Sequence, residues 1–231
     1  ALGISDLMNE FGLVKFYKVC RSAGIKPVGA ADVWIGNPNA PDKPFRAMLI
    51  IRNDAGYLRL SELLTAAYVG KDRNVHHAEL NPEWLENGDN SGLICLSGAH
   101  YGEVGVNLLN GNEDAARSAA LKYAAWFPDA FYLELQRLPE RPEWEACVSG
   151  SVKLAEELGL PVVATHPTQF MSRDDFNAHE ARVCIAGGWV LTDKKRPRDF
   201  TPSQFFIPPE TMLERFADLP EALENTVEIA K

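Results

Sequence analysis

Residues 143–166 read EWEACVSGSVKLAEELGLPVVATH, and this stretch decides the fold class. Glu143 to Leu158 has the pattern of a helix, and Gly159 and Pro161 stop it. The apolar run Val162-Val163-Ala164 follows at once and is too short for anything but a strand. Working outward, the same alternation recurs upstream. A strand over Phe131 to Leu135 is preceded by a helix carrying Ala116, Ala119, Ala120, Tyr123 and Phe127, with Asn112 as its N-cap ahead of Glu113 and Asp114. Further back, strands are expected at Leu93 to Leu96, Ala47 to Ile51, Ala30 to Ile35 and Leu2 to Ile4. Helices with apolar steps of three and four use Tyr57, Leu60, Leu64, Ala67 and Tyr68, and then Leu13, Phe16, Tyr17 and Cys20. Alternation of this kind implies parallel strands joined by crossover helices. Six such units fit a barrel or a doubly wound sheet, and a TIM-like barrel is the preferred reading. Beyond Arg173 the pattern turns helical. Asp193 to Pro209 is a charged, proline-rich surface loop, and Pro220 opens a last helix.

The chain is acidic, with 23 Lys and Arg against 32 Asp and Glu and a formal charge of −9. A surface of that sign disfavours gripping DNA phosphates over its whole area and leaves only a local basic patch for that purpose. Cys20, Cys95, Cys147 and Cys184 lie far apart in apolar runs, so buried thiols in a reducing compartment are expected, and the cytoplasm is the default location. The sequence opens without Met on a strand-like run and stops inside a helical pattern, and it is read as a fragment of a larger protein.

In barrels and doubly wound sheets the chemistry collects where strands end. Those places hold Asp6, Asp32, Ser97, Glu134, Gln136 and His166. Convergence of such groups builds a metal or phosphate site, although strand ends are polar in any fold of this class. His76 and His77 read as exposed loop residues, and His100 as hydrogen-bonded at a strand end. The run Lys194-Lys195-Arg196-Pro197-Arg198 reads first as a solvated basic loop and second as a contact for DNA or a neighbouring domain.

Several blocks carry a family resemblance. They are Ile4-Ser5-Asp6, Phe11 to Tyr17, Gly24-Ile25-Lys26-Pro27, Asn53 to Tyr57, Leu93 to Gly98, Phe131 to Leu135, Leu160 to Thr165, Ala178 to Arg182, Lys195 to Arg198, Phe216 to Ala222 and Asn225 to Lys231. In this order they resemble the PHP (polymerase and histidinol phosphatase) domain of bacterial replicative polymerases, the C-family or DNA polymerase III alpha type. The resemblance implies a distorted (β/α)7 barrel of which this chain lacks the first strand, leaving the strand with Ile4 as an exposed edge. It implies a barrel over residues 1–190 and, over 191–231, a loop and helices leading toward the polymerase body. It gives His179 either a structural role or one of orienting a neighbouring site residue.

Active family members hold two or three metal ions on histidines and carboxylates, starting from a His-x-His on that first strand. Here Ser5-Asp6-Leu7 stands where active members have Thr-Asp-His, and Asp32 replaces a glutamate. His166-Pro167-Thr168-Gln169 replaces Asn-Asp-x-His. Asp6, Asp32 and His166 remain as a vestigial cleft, too few to fix a water-activating cluster. No catalytic residue, metal or cofactor is therefore expected in this chain, with Mg expected only in the polymerase domain of the parent. The resemblance implies a silent scaffold that binds the proofreading exonuclease subunit and the remaining alpha-subunit domains, reaches DNA through the holoenzyme, and has no membrane role. An active metal-dependent phosphoesterase or 3′–5′ exonuclease is the alternative, disfavoured by Leu7, Pro167 and Gln169. A free-standing barrel enzyme of small-molecule metabolism is a weaker third.

Overall fold

A computed structural model describes residues 1–231. Six strands form one curled sheet in sequence order: β1 (Leu2–Leu7), β2 (Pro27–Ile35), β3 (Phe45–Ile51), β4 (Leu93–Leu96), β5 (Phe131–Gln136) and β6 (Val162–Thr165). The sheet is a half-barrel with β1 at one edge and β6 at the other, in agreement with the expected edge position of β1.

One expectation fails. The strands are not all parallel: β3 pairs antiparallel with both β2 and β4, while β1–β2, β4–β5 and β5–β6 are parallel. The physical cause lies in the connection Gly36 to Pro44, which carries no helix. Without a crossover element the chain can only turn back on itself and pair as a hairpin would. α2 (Asp54–Val69) and α3 (Pro82–Glu86) then return the chain to β4 in the common direction.

Strand alternation separates two cores. Ala31, Val33, Ile35, Ala47, Leu49, Leu93, Cys95, Phe131 and Leu133 face the helices and belong to one cluster of 25 buried residues. The helix α5 (Glu113–Trp126) adds Ala116, Ala119, Ala120 and Tyr123, with Phe127 just beyond its end, all at or below 2% exposure. That match to the expected stripe is complete. Asn112 occupies the N-cap position of α5 but its side chain makes no capping bond. Against the opposite, concave face pack Ala30, Ile50, Leu96 and Val163.

Close approach fixes one junction. The first turn of α2, capped by Asn53 accepting from the Gly56 N–H at 3.0 Å, lies against the turn before β4. A Cβ on Gly56 would sit 1.8 Å from the Gly92 carbonyl oxygen. Only glycine permits the contact.

α6 (Glu145–Leu158), α8 (Pro209–Arg215) and α9 (Pro220–Ala230) cover the β6 end. Leu135, Val148, Ala164, Phe216 and Ala222 share a small core there, and burying a side chain such as Phe216 contributes ~1.5–3 kcal/mol. Ile229 of α9 packs into the concave cluster. Asn225 Nδ2 donates to the Val162 carbonyl at 2.8 Å, and Lys26 Nζ donates to the Lys231 carbonyl at 2.6 Å. Val162 and Lys26 lie at the starts of their strands, so α9 stops the N-terminal end of the half-barrel. The helix α1 (Leu13–Ser22) is poorly covered: of its expected apolar face only Cys20 is buried, and Phe11 just before it is 89% exposed.

Candidate functional site: the concave face of the half-barrel

The site grows from residues on the concave face at the C-terminal strand ends. On β2, Asp32 lies between the outward-facing Ala31 and Val33 and so points inward; it is buried, with 8% exposure. On β3, whose sequence is Phe-Arg-Ala-Met-Leu-Ile-Ile, Arg46 alternates with the outward Ala47 and also points inward. Its guanidinium donates to Asp32 Oδ2 in a direct ion pair. Burial pushes the Asp32 carboxyl above its ordinary range, against the pull of Arg46. On β5, Glu134 is enclosed; its Oε1 accepts from the Thr165 hydroxyl and from Gln136 Nε2 at 3.0 Å. The Glu134 N–H donates to Ser97 Oγ at 2.9 Å. Burial raises this carboxyl as well, with the Thr165 bond opposing.

The turn after β4 closes over these groups. Gly98 has φ +78°, and any Cβ there would meet the Arg46 carbonyl oxygen at 2.0 Å. This lets the chain double back into a 3-10 turn, Ala99–Tyr101. The turn sets His100 inside, stacked on Trp144 at 3.6 Å between ring centroids. Neither ring nitrogen of His100 has a hydrogen-bond partner. Burial, with Arg46 and Arg141 nearby, holds the imidazole down at about 3, so it is neutral.

The three residues of the expected cleft are not brought together. Asp32 faces the interior. Asp6 lies within β1 rather than after it, and its Oδ2 accepts from the Gly12 N–H at 2.9 Å ahead of α1. His166 is engaged at both nitrogens: Nε2 donates to the Phe205 carbonyl at 2.9 Å, and Nδ1 accepts from Arg215 at 3.2 Å. Burial beside the Arg215 cation lowers it to about 4, so it too is neutral. Leu7 pairs in register with Asp32 and places an alkyl group beside the carboxylate.

These side chains do not fit a multi-metal centre. No three of His, Cys, Asp and Glu come together anywhere as a ligand group. A first-row ion needs three or four such donors, and here a guanidinium already lies against the best of them. Arg46 was not singled out from the sequence. The available signal was a lone cation at an inward position of an otherwise apolar strand.

The basic run divides. Lys194, Lys195 and Arg198 are exposed. Arg196 is not part of a solvated loop: it pairs with Glu180 of α7 (Phe176–Gly187) at 2.6 Å, both side chains 6% exposed, and also donates to the Leu191 carbonyl. His76 is exposed, and His77 bonds Glu79 at 2.8 Å. His179 is buried, with its ring edge-on to Phe200. All four cysteines are buried and free.

The sequence profile of the PHP domain matches residues 1–138. The chain belongs to the PHP-domain family. It is 97% identical over 231 residues to DNA polymerase III subunit alpha of Neisseria meningitidis serogroup A. It is 44% identical to the same subunit of Pseudomonas fluorescens and 43% identical to that of Escherichia coli K12, covering 100% of this chain in each case. The chain spans about a fifth of the length of these relatives, 19–20%. The curled six-stranded half-barrel is thus the PHP framework of this chain. No helix is long and apolar enough to cross a membrane.

Proposed function

We propose that this PHP domain is a scaffold within a replicative DNA polymerase alpha subunit, that it hydrolyses nothing itself, and that it holds the proofreading exonuclease subunit. The observation that carries the reading is Arg46. A PHP phosphoesterase gathers cations onto inward-facing carboxylates, and here a side-chain cation is ion-paired to Asp32 while Leu7 flanks it. Glu134 is spent on Thr165 and Gln136, and His166 on Phe205 and Arg215. The carboxylates Asp32 and Glu134 and the imidazole of His166 are each engaged by neighbouring protein groups. The likeness to the alpha subunits supports the further domains of a parent polymerase; the exonuclease partner, the route to DNA, a cytoplasmic location and metal chemistry in the polymerase domain are part of the same proposal.

The test is a titration of the intact subunit with labelled exonuclease and, separately, with duplex DNA lacking a primer end, at two salt concentrations. Exonuclease binding that weakens modestly with salt is expected. Added manganese should produce no phosphoesterase activity lost on Asp32→Asn substitution. Metal-dependent hydrolysis that depends on Asp32 would overturn the scaffold reading in favour of an active phosphoesterase.

A further inference from the structure

A second concavity of about 390 Å3 opens on the rim of the half-barrel beyond the end of β5, lined by Arg137, Arg141, Trp144, Glu145 and Arg215 among others. Its three arginines are not equivalent. Arg137 is saturated: it pairs with Glu145 at 2.7 Å and Asp218 at 2.6 Å, and donates to the Arg215 carbonyl. Arg215 has no carboxylate within ion-pair distance. Its guanidinium reaches only the Arg137 carbonyl at 3.4 Å and the neutral His166 Nδ1 at 3.2 Å. The nearby Glu140 carboxylate is taken by the Ser203 hydroxyl at 2.6 Å. Arg141 donates to the carbonyls of Arg198 and Asp199 and lies 3.6 Å from Glu143, while its Nε is buried with no partner at all.

On a chain of net charge −9, two guanidinium groups without full compensation facing one small concavity stand out. Burying a cation without a counter-ion is costly, and Arg presents forked N–H pairs that match tetrahedral oxyanions. The salt-bridged Arg137 forms a fixed wall, and Trp144, held by its stack on His100, forms another.

We propose that Arg141 and Arg215 form a binding site for a phosphate group at the rim of the half-barrel, with Arg137 as its rigid support. The site lies outside the Asp32–Arg46 cleft and needs no metal. It is independent of exonuclease binding. The exposed Arg198 belongs to the chain segment that Arg141 anchors through the Arg198 carbonyl.

The experiment is arginine modification by phenylglyoxal on the full polypeptide that carries this domain, read residue by residue by mass spectrometry. Arg141 and Arg215 should react when no anion is added and be protected by millimolar inorganic phosphate but not by equal chloride. Arg137 is the internal control, slow to react with or without phosphate. The Arg215→Met variant should need about tenfold more phosphate to protect Arg141, the equivalent of one lost charge-assisted bond. If that variant misfolds, the wild-type protection pattern decides alone. Three further probes locate the source: dAMP, a 5′-phosphorylated oligonucleotide, and the same oligonucleotide without its phosphate. Stronger protection by any phosphorylated probe supports the site and names its source. Protection by chloride as good as by phosphate, no protection at all, or protection by an acidic peptide alone would each overturn it.

Discussion

Replacing Arg46 by methionine tests the ion pair on which the scaffold reading rests. The substitution keeps much of the side-chain volume and leaves Asp32, whose side chain is 12% exposed, without its cation. Breaking a fully buried pair costs ~3–5 kcal/mol. Arg46 is 26% exposed, so water reaches the vacated position. A cost of about 2 kcal/mol is expected, within the range for a buried polar group left short of a partner. For a chain of this size that lowers Tm by about 4–8 °C. The cost carries a pH signature. Burial already raises the Asp32 carboxyl in the folded state, and Arg46 opposes the rise. Without Arg46 the folded-state value climbs further while the unfolded value stays near 3.8. An acid whose folded value is raised favours folding below its unfolded value, and that advantage is lost as pH rises through the folded value. The penalty of Arg46→Met should therefore be larger at pH 8 than at pH 5. Urea denaturation followed by circular dichroism at both pH values measures it, and adding Asp32→Asn should recover at least half of the loss at pH 8. A penalty under about 0.5 kcal/mol that does not change with pH would show that Arg46 does not hold Asp32, and the argument from the cleft would fall.

The enclosed Arg196–Glu180 pair should respond more strongly: Arg196→Met should cost ~3–5 kcal/mol, with new cleavage between Gly188 and Pro208 in limited proteolysis. Gly56→Ala drives a Cβ against the Gly92 carbonyl and should cost about 1–3 kcal/mol, visible in Tm, whereas Gly111→Ala meets no neighbour and pays only for its positive φ. His166 and His100 are held neutral at about 4 and about 3 against an ordinary 6.5. The unfolded chain takes up protons at these residues first, so stability should fall as pH drops from about 6.5 toward 4. The double substitution His166→Gln and His100→Phe should flatten that fall in a pH series of urea midpoints, the phenyl ring keeping the stack on Trp144.

Much of this protein was legible in the sequence because its elements are decided locally. The stripe Ala116, Ala119, Ala120, Tyr123 and Phe127 is buried as its spacing requires, and Gly159 and Pro161 stop α6 where expected. Membership in the PHP family was also readable, since it rests on the order of blocks along the chain. Strand direction was not legible. Alternating period predicts where a strand lies and which residues share a face, but the reversal of β3 depends on how the segment Gly36 to Pro44 turns. Nor could the sequence say which polar residues meet. Asp6 and His166 lie near strand ends and Asp32 within β2, yet side-chain alternation sends Asp6 toward α1, and the late helix α8 brings Arg215 to occupy His166. Arg46 became visible only once β3 was laid against β2 with its inward face toward Asp32, because an ion pair is a relation between strands that no single strand's pattern contains. Local pattern in the sequence sets the six strands, the helices α1, α2, α5, α6 and α9, and the family. Tertiary structure decided which charges neutralise one another, because that depends on distances between residues that only the folded sheet brings close.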